Sequence, residues 1–301
     1  MSELSYNFQP YKSSYYDKLS YSYKLAFKKN FLNRIIYESR FNFNNKFTSI
    51  VLLNKNETEI LAHIGFRIHV GNPKICRFIA FRFSTFIDHS LRGKGIYQEM
   101  MKYAENFLKT EFEVDIIYSW PNKINLISCL KDTKYKNLPP INTWQKEITC
   151  LNDFHNNIEQ IRIEELSKID NQLTNDNLES LKKFFTNRED KKYLFFKDPK
   201  TKSDLILGKS EINNVIFFSI LSCDLRSLPL IFDIIRGLGN KSQKNYLQLW
   251  CNFDDYENLR IILKNGFEPN GPIFNRGIYI LDKKNISDIY AFPSMYHHDA
   301  F

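Results

Sequence analysis

The chain has 301 residues, 43% of them hydrophobic and 15% aromatic, and a formal net charge of +8. This length and apolar content suffice for packed cores and suit two domains better than one, so a disordered chain is excluded. Lys, Asn, Ile, Phe and Tyr are abundant throughout. We therefore attribute the charge to a chain-wide bias in composition rather than to a nucleic-acid-binding patch, although it favours small, phosphate-rich ligands.

The cysteines and the hydropathy of the chain indicate the kind of cellular compartment to expect. The five cysteines are scattered and never form a Cys-x-x-Cys pair, so neither a disulfide framework nor a metal site is predicted. Residues 1–16 hold no apolar signal core, and the longest apolar runs are far shorter than a bilayer span. We expect a reduced, cytoplasmic setting and no membrane association.

Taken in chain order, the first element is predicted as a strand at residues 77–87. It is β-branched and aromatic without glycine or proline, as a buried strand is. Residues 97–108 follow with apolar side chains at helical spacing and charged ones between them, which predicts a helix.

The turn between the strand at 77–87 and the helix at 97–108 is basic and carries glycines. It reads Arg92-Gly93-Lys94-Gly95-Ile96-Tyr97-Gln98. The first amides of a helix have no hydrogen-bond acceptor inside the helix and lie at its positive end. A bound anion accepts their hydrogen bonds and is attracted by the positive charge. Glycine lets a ligand approach the backbone, and Arg92 and Lys94 add charge. The turn is predicted to bind phosphate; the alternative is a tight basic turn without a ligand.

Two common phosphate motifs fit this turn poorly. The Walker loop needs Ser or Thr directly after Gly-Lys, and Gly95 stands there instead. The dinucleotide fingerprint needs a third glycine where Gln98 stands, although Asp115 lies at about the spacing of a ribose-binding acid. Dinucleotide binding is kept as an alternative.

The turn resembles the pyrophosphate loop of the GNAT superfamily, the Gcn5-related N-acetyltransferases. That loop has Arg or Gln, two residues, Gly, one residue, then Gly or Ala, and Arg92, Gly95 and Tyr97 occupy these positions. Tyr97 departs from the pattern because a small residue is usual there. Residues 50–53 and 60–68 look like the family's second and third strands, and residues 115–120 look like its fifth strand, with a helix beginning just after it. Residues 130–135 are similar to its Lys-x-x-Gly-Phe ending with Lys134 for glycine.

The resemblance implies an α/β (α+β) fold with a mixed, mostly antiparallel sheet flanked by helices, and acetyl-CoA or another acyl-CoA as co-substrate. The thioester would lie between residues 82–87 and 115–119, whose strands splay apart in this fold. The positions implied for coenzyme A are Phe86, Ile87, Arg92, Gly93, Lys94, Gly95, Ile96, Tyr97, Asn122 and Asn125.

Direct attack by an acceptor amine requires a base and a proton donor for the leaving thiolate. The family's usual acid, a tyrosine of the fourth helix, falls at Leu130 when counted back from Lys134, so it is missing. Tyr118 and Ser119 are the candidate acids, with core packing as the alternative. Asp88 and His89 are the candidate bases, with capping of the loop as the alternative. His63 is predicted to be a satisfied core residue rather than a base.

The second half repeats the order of the first. We predict one domain at residues 1–152, which binds acyl-CoA, and a degenerate GNAT-like domain at 153–301 that serves as scaffold or acceptor pocket. Residues 224–229, at the place of a second loop, contain no glycine, and residues 236–239 close a helix rather than open one. The alternative is that the second half is an unrelated α/β domain.

The leading hypothesis is an N-acetyltransferase that moves an acetyl group from acetyl-CoA directly to the primary amine of a small acceptor, with an amino sugar or nucleotide-linked amino sugar as the substrate suggested by resemblance. One alternative is a catalytically silent, coenzyme A-binding scaffold or sensor. Another is a basic nucleic-acid-binding protein that uses Tyr15, Tyr16, Lys28 and Lys29; nucleic acid is the less expected partner. The oligomeric state stays open.

Overall fold

A computed structural model of the chain describes residues 7–28, 33–43, 46–150, 160–167, 174–186, 191–251 and 255–282. The strands within these ranges are β1 (Asn7–Pro10), β2 (Asn42–Phe43), β3 (Lys46–Leu53), β4 (Ile60–Val70), β5 (Phe78–Ile87), β6 (Ile116–Ser119), β7 (Tyr135–Glu147), β8 (Lys192–Lys197), β9 (Asp204–Ile212), β10 (Val215–Ser222), β11 (Lys244–Cys251) and β12 (Ile273–Ile280). The α-helices are α1 (Tyr16–Phe27), α2 (Arg34–Phe41), α3 (Ile96–Phe112), α4 (Lys123–Leu130), α5 (Leu178–Thr186), α6 (Leu228–Leu238) and α7 (Tyr256–Lys264).

The chain divides into two compact units, and neither is one continuous run of sequence. Unit 1 comprises Met1–Leu138, Thr174–Asp176 and Arg276–Ile289, and unit 2 comprises Pro139–Leu173, Asn177–Asn275 and Tyr290–Phe301. Most of β7 therefore belongs to unit 2, whereas most of β12 belongs to unit 1. The domain boundary predicted between residues 152 and 153 lies outside the described residues and stays a prediction.

The sheet of unit 1 has the strand order β1-β3-β4-β5-β6-β12, with β2 beside β3. Its neighbouring strands are antiparallel except for β5 and β6, which run parallel from Ile79↔Ile116 to Arg82↔Ser119. The four strands predicted in this half correspond to β3, β4, β5 and β6 within a few residues at each end. β12, which pairs with β6, was not predicted from the sequence.

The predicted helix is α3, and its apolar stripe explains where it lies. Met100, Met101, Ala104 and Leu108 are fully buried in one core with side chains of β3 to β6. Burying a large apolar side chain stabilises the fold by roughly 1.5–3 kcal/mol. This packing fixes the first turn of α3 beside the end of β5.

The sheet of unit 2 has the strand order β7-β11-β10-β9-β8, antiparallel except for the pair β10 and β11. The succession β9-β10-α6-β11-α7 repeats β4-β5-α3-β6-α4 of unit 1, with the parallel pair at the same place. This recurrence supports a duplication. The predicted fold class, a mixed and mostly antiparallel sheet flanked by helices, is confirmed.

The turn that leads into α6 differs from its counterpart before α3. A 3-10 turn, Leu225–Ser227, precedes α6, and the Asp224 carboxylate accepts from the Arg226 amide at 2.9 Å and pairs with its guanidinium. An internal carboxylate thus lies beside the start of this helix. Residues 236–239 close α6, which ends at Leu238, as the sequence predicts.

Candidate functional site

The loop that leads into α3 is folded by its own hydrogen bonds. Asp88 caps the 3-10 turn His89–Leu91, because its carboxylate accepts from the Ser90 amide at 2.9 Å and from the Ser90 hydroxyl at 2.6 Å. These bonds hold the pKa of the Asp88 carboxyl below its usual range. Arg92 Nε donates to the Ile87 carbonyl at 3.2 Å. Asp88 therefore has the capping role that was the alternative to a base, and His89 is exposed.

Gly93 and Gly95 give the loop an open backbone. Their φ angles are 77° and 79°, in the left-handed region that favours glycine. A Cβ built on either glycine would meet no atom within 4 Å. The backbone conformation rather than a crowded neighbour therefore requires glycine here, and free space lies above the loop.

The N-terminus of α3 has no side-chain cap. The Gln98 and Glu99 amides donate to the Gly95 carbonyl at 3.0 and 3.2 Å. For the Ile96 and Tyr97 amides, the described part of the chain provides no such backbone acceptor. Uncompensated amides at the positive end of a helix that is 17 residues long form a site that an anion fits.

Next to this loop, β5 separates from β6. Their parallel pairing ends at Arg82↔Ser119, whereas β5 continues to Ile87. The register between β4 and β5 shifts between His63 and Gly65, and Ser84 at this bulge has a φ of 48°. Among the described residues, the last five residues of β5 therefore have no strand beside them on the β6 side, and this is the gap between β5 and β6. The thioester position between residues 82–87 and 115–119 stays a prediction.

A cavity of about 390 Å³ lies at the end of β5. Five of the predicted site residues line it, namely Phe86, Ile87, Asp88, His89 and Arg92. The remaining wall comes from α1 and from the start of β4, with Tyr21, Leu25 and Glu59. The fold therefore brings the loop and the end of β5 together around one cavity with apolar and charged walls.

A larger cavity of about 1130 Å³ follows the outer face of α3, beginning at Lys94 and Gly95. Its charged lining consists of Lys94, Lys102, Lys109 and Lys134, against Glu99 and Glu105. Lys134 Nζ donates to the Glu105 carboxylate at 2.6 Å. The positive excess at this surface favours anionic groups next to the glycine loop.

Tyr118 and Ser119 lie in the interior of unit 1, and neither lines the cavity at the end of β5. The Tyr118 hydroxyl accepts from Arg276 Nη1 at 3.1 Å, and its ring packs against Phe81 and Trp120. Burial raises the pKa of Tyr118 to about 12. Ser119 Oγ donates to the Gly277 carbonyl at 3.4 Å. Both side chains thus make the packing contacts given above as the alternative.

The start of α4 carries the two predicted asparagines. Asn122 caps the helix by accepting from the Asn125 amide at 2.8 Å. The helix ends at Leu130, so residues 131–135 form a separate turn into β7. Counting back from Lys134 put Leu130 at the place of the family's tyrosine midway along this helix, and Leu130 is the last residue of α4. Leu130 is 58% exposed, whereas Cys129 is fully buried.

Tyr97 points into the core instead of standing over the loop. Its hydroxyl lies 3.2 Å from Cys129 Sγ and 3.3 Å from the Tyr279 hydroxyl, and it accepts from Arg82 Nη1. Sequence reasoning missed this cluster of Arg82, Tyr97, Cys129 and Tyr279. The one signal was an arginine inside a strand that was otherwise predicted to be buried.

His63 is buried and hydrogen-bonded, as predicted. Its Nε2 lies 2.9 Å from the Tyr37 hydroxyl and 2.6 Å from Ser49 Oγ, and its Nδ1 lies 2.6 Å from the Ser84 carbonyl oxygen. Burial lowers the pKa of His63 to about 4. The imidazole is therefore neutral at pH 7.

Two residues proposed above for stacking on nucleic acid are not displayed on the surface. Tyr15 is buried, with its hydroxyl donating to Gln9 at 3.0 Å, and Tyr16 is half-buried; Lys29 lies outside the described residues. Across the ranges that the structure covers, no helix is both long and apolar enough to cross a membrane. The same ranges contain no group of His, Cys, Asp or Glu placed to hold a metal ion.

A family described as a protein of unknown function, DUF3627, matches residues 89–143, which include the glycine loop, α3, β6 and α4. No curated protein matches the chain.

Comparison with solved structures identifies the fold. A GCN5-related N-acetyltransferase from Anabaena variabilis aligns with a TM-score of 0.64 and 11% identity over 92% of this chain and 73% of its own. One from Kribbella flavida aligns with a TM-score of 0.64 and 7% identity over 92% and 72%. Saccharomyces cerevisiae N-myristoyltransferase with bound myristoyl-CoA aligns with a TM-score of 0.59 and 9% identity over 92% and 79%. The chain has the fold of the GCN5-related N-acetyltransferases.

Proposed function

We propose that this protein is a cytoplasmic, acyl-CoA-dependent N-acyltransferase that moves an acetyl group from acetyl-CoA directly to the primary amine of a small acceptor. The observation that carries the proposal is the uncapped start of α3, which follows a loop of two left-handed glycines with open space above them. The five free cysteines agree with a reducing compartment.

The residues present fit the phosphates of an acyl-CoA. The Ile96 and Tyr97 amides would donate to the pyrophosphate, and Arg92 and Lys94 would add charge at the mouth of the loop. The lysines along the outer face of α3 extend this positive surface. Asn122 and Asn125, at the start of α4, would border the same ligand.

The gap between β5 and β6 would hold the acyl thioester. Backbone amides near Phe86 or Ile87, beyond the last pair of β5 with β6, would stabilise the oxyanion that forms at the thioester carbonyl. Acyl-CoA supplies an activated acyl group, so this chain's part is to position the thioester and to move protons. No covalent intermediate on the protein is required.

The cavity at the end of β5 is the proposed acceptor site. Tyr21, Leu25 and Phe86 would contact an apolar part of the acceptor, while the Glu59 carboxylate would attract an ammonium group. His89 is the exposed titratable group at the rim and the proposed base. An acceptor of this class combines a primary amine with an apolar or ring-shaped body, and amino sugars belong in the panel to be tested.

Calorimetric titration with acetyl-CoA tests the proposal. The wild-type chain should bind it, and Gly95→Glu, which sets a carboxylate against the pyrophosphate, should bind at least tenfold more weakly. Gly266→Glu is the matched control, because Gly266 of unit 2 has a similar left-handed φ of 74°. Equal affinity of all three chains would contradict the proposed site.

Release of coenzyme A thiol in the presence of a panel of amines tests the chemistry. The panel should include amino sugars, apolar primary amines and a tertiary amine that cannot form an amide. Turnover with primary amines alone is expected. Binding of acetyl-CoA without turnover of any amine would favour the silent scaffold instead.

A further inference from the structure

The interior of unit 1 contains a buried cation. Arg82 is 6% exposed. Its guanidinium contacts the Tyr97 hydroxyl, Cys129 Sγ at 3.7 and 3.8 Å and Met101 Sδ at 3.9 Å. In the described part of the chain no carboxylate forms an ion pair with it. A buried charge without a counter-charge is costly, so this position would stabilise any negative charge that forms beside it.

Tyr97 is the group on which such a charge can form. Its hydroxyl accepts from Arg82, so the single phenolic proton is left for another acceptor. Its other neighbours are Cys129 Sγ at 3.2 Å and the Tyr279 hydroxyl at 3.3 Å. Burial raises the pKa of Tyr97, while the Arg82 guanidinium acts against this. Tyr97 therefore holds its proton at pH 7 next to a cation that would stabilise the phenolate.

The position of this pair relates it to the proposed acyl-CoA site. Tyr97 is the second residue of α3, and its backbone amide is one of the two uncapped amides that follow Gly95. Arg82 is the last residue of β5 that pairs with β6, so its side chain begins where the gap between these strands opens. Cys129 brings the inner face of α4 to the same point. The phenol hydroxyl thus contacts both the last residue of β5 that pairs with β6 and the inner face of α4.

Packing alone does not require these two residues. A phenylalanine at position 97 with an aliphatic residue at position 82 would fill the same space without burying a charge, and such replacements are often neutral or stabilising. The polar pair therefore calls for a chemical explanation.

We propose that Tyr97, supported by Arg82, is the proton donor for the thiolate that leaves in acyl transfer; this rests on the proposed function. As the acceptor nitrogen bonds to the acyl carbon, the carbon–sulfur bond breaks and its electron pair goes to sulfur. Tyr97 gives its phenolic proton to that sulfur, and Arg82 stabilises the resulting phenolate. The acceptor nitrogen loses one hydrogen on becoming an amide, and His89, the proposed base, takes this proton. Water returns a proton from His89 to the phenolate, so the protons balance and no other reactant is needed.

Titration of bound coenzyme A tests this without turnover. With coenzyme A labelled with ¹³C next to its sulfur, NMR follows ionisation of the bound thiol, and free coenzyme A titrated in the same way gives the reference. Hydrogen bonding from Tyr97 and Arg82 should make the bound thiol more acidic than the free one. In Tyr97→Phe its titration should move up by about one pH unit at saturating ligand. Tyr103→Phe, which removes a hydroxyl from the same helix, should leave it unchanged.

Turnover gives a second readout with an amine that the wild type acetylates. Tyr97→Phe should lose about 10²-fold in rate with acetyl-CoA, the usual contribution of a general acid. With the selenoester analogue the loss should be below tenfold, because a selenolate leaves without protonation. If Tyr97→Phe loses the same factor in rate with acetyl-CoA and with the selenoester, Tyr97 has a structural role and the assignment is overturned.

Thermal unfolding shows whether Tyr97→Phe is folded. If it is not, Tyr97→3-fluorotyrosine keeps the packing and the hydroxyl but has a more acidic phenol, so the alkaline limb of the rate profile should shift to lower pH. An unshifted limb would overturn the assignment. If coenzyme A binds and its thiol titrates alike in wild type and Tyr97→Phe, the assignment of Tyr97 is overturned but the proposed function is not. If coenzyme A does not bind to the wild type, both the proposed function and the assignment are overturned.

Discussion

His63 Nδ1 donates to the carbonyl oxygen of Ser84 at 2.6 Å, at the bulge where β5 leaves β6. A carbonyl oxygen only accepts, so Nδ1 carries the proton and Nε2 accepts from the Tyr37 or Ser49 hydroxyl. Ser84 has a left-handed φ of 48°, a conformation that is unfavourable for a residue other than glycine. The buried imidazole thus supports the strained residue that precedes the proposed oxyanion and acceptor positions.

Protonation of His63 should destabilise the fold in acid. Its pKa is lowered from 6.5 to about 4, mainly by burial. Below pH 6.5 the unfolded chain binds a proton that the folded chain does not, so the free energy of unfolding decreases as the pH falls from 6.5 to about 4. The shift corresponds to a loss of about 3 kcal/mol. Burial also lowers the pKa of His69, so it acts in the same direction.

Urea unfolding at several pH values from 7 to 4.5 measures this effect. His63→Gln should be less stable at pH 7, because it loses buried hydrogen bonds, but its stability should depend less on pH than that of the wild type. His89→Gln, which changes an exposed histidine, should keep the wild-type slope. An unchanged slope in His63→Gln would show that another group causes the acid sensitivity.

Local sequence patterns predicted the elements near the site, but they could not place the distant strands. The helical spacing of Met100, Met101, Ala104 and Leu108 gave α3, and the uninterrupted β-branched run gave β5. β7 was missed because Pro139 and Pro140 lie within it, and prolines argue against a strand. β12 was not predicted, because its partner strand β6 lies more than 150 residues earlier in the sequence and a local pattern cannot show such a pairing.

The same limit applies to the candidate site. A glycine loop of seven residues is a local feature, so its letters were sufficient to propose a phosphate site. The hydroxyls of Tyr97 and Tyr279 lie 3.3 Å apart although 182 positions separate them in sequence. Tyr97 could be placed over the loop by the family pattern, but only tertiary packing turns its side chain toward Arg82.

We expect one molecule of acetyl-CoA to bind per chain. The start of α6 in unit 2 is the counterpart of the α3 site, but the Asp224 carboxylate lies there and pairs with Arg226. A second anion would meet like charge at this position. Calorimetry should therefore give a stoichiometry near one, and Asp224→Asn should not change the affinity. A stoichiometry of two in the wild type would contradict this reading of unit 2.

Alanine at Gly95 should separate the backbone requirement from the binding role. The φ of 79° is unfavourable for alanine, so Gly95→Ala should lower the free energy of unfolding by about 1 kcal/mol although its Cβ meets no neighbour. The Cβ should also hinder the approach of a phosphate and weaken acetyl-CoA binding. Gly266→Ala, with a φ of 74°, should lose similar stability but keep the wild-type affinity. Denaturant unfolding and calorimetry on both variants measure the two effects.

The position of β12 in unit 1 can be tested at Gly277, which pairs with Ser119 of β6. A Cβ at this glycine would lie 2.2 Å from Cζ and from the hydroxyl oxygen of Tyr135, a buried residue at the start of β7. Gly277→Ala should therefore lower the free energy of unfolding by about 1–3 kcal/mol, the usual effect of overpacking a core. Tyr135→Leu makes room for the new methyl group, so the alanine should be less destabilising in that background. A coupling of at least about 0.5 kcal/mol in this double-mutant cycle is expected for residues in contact, whereas additive effects would show that β12 does not pack beside Tyr135.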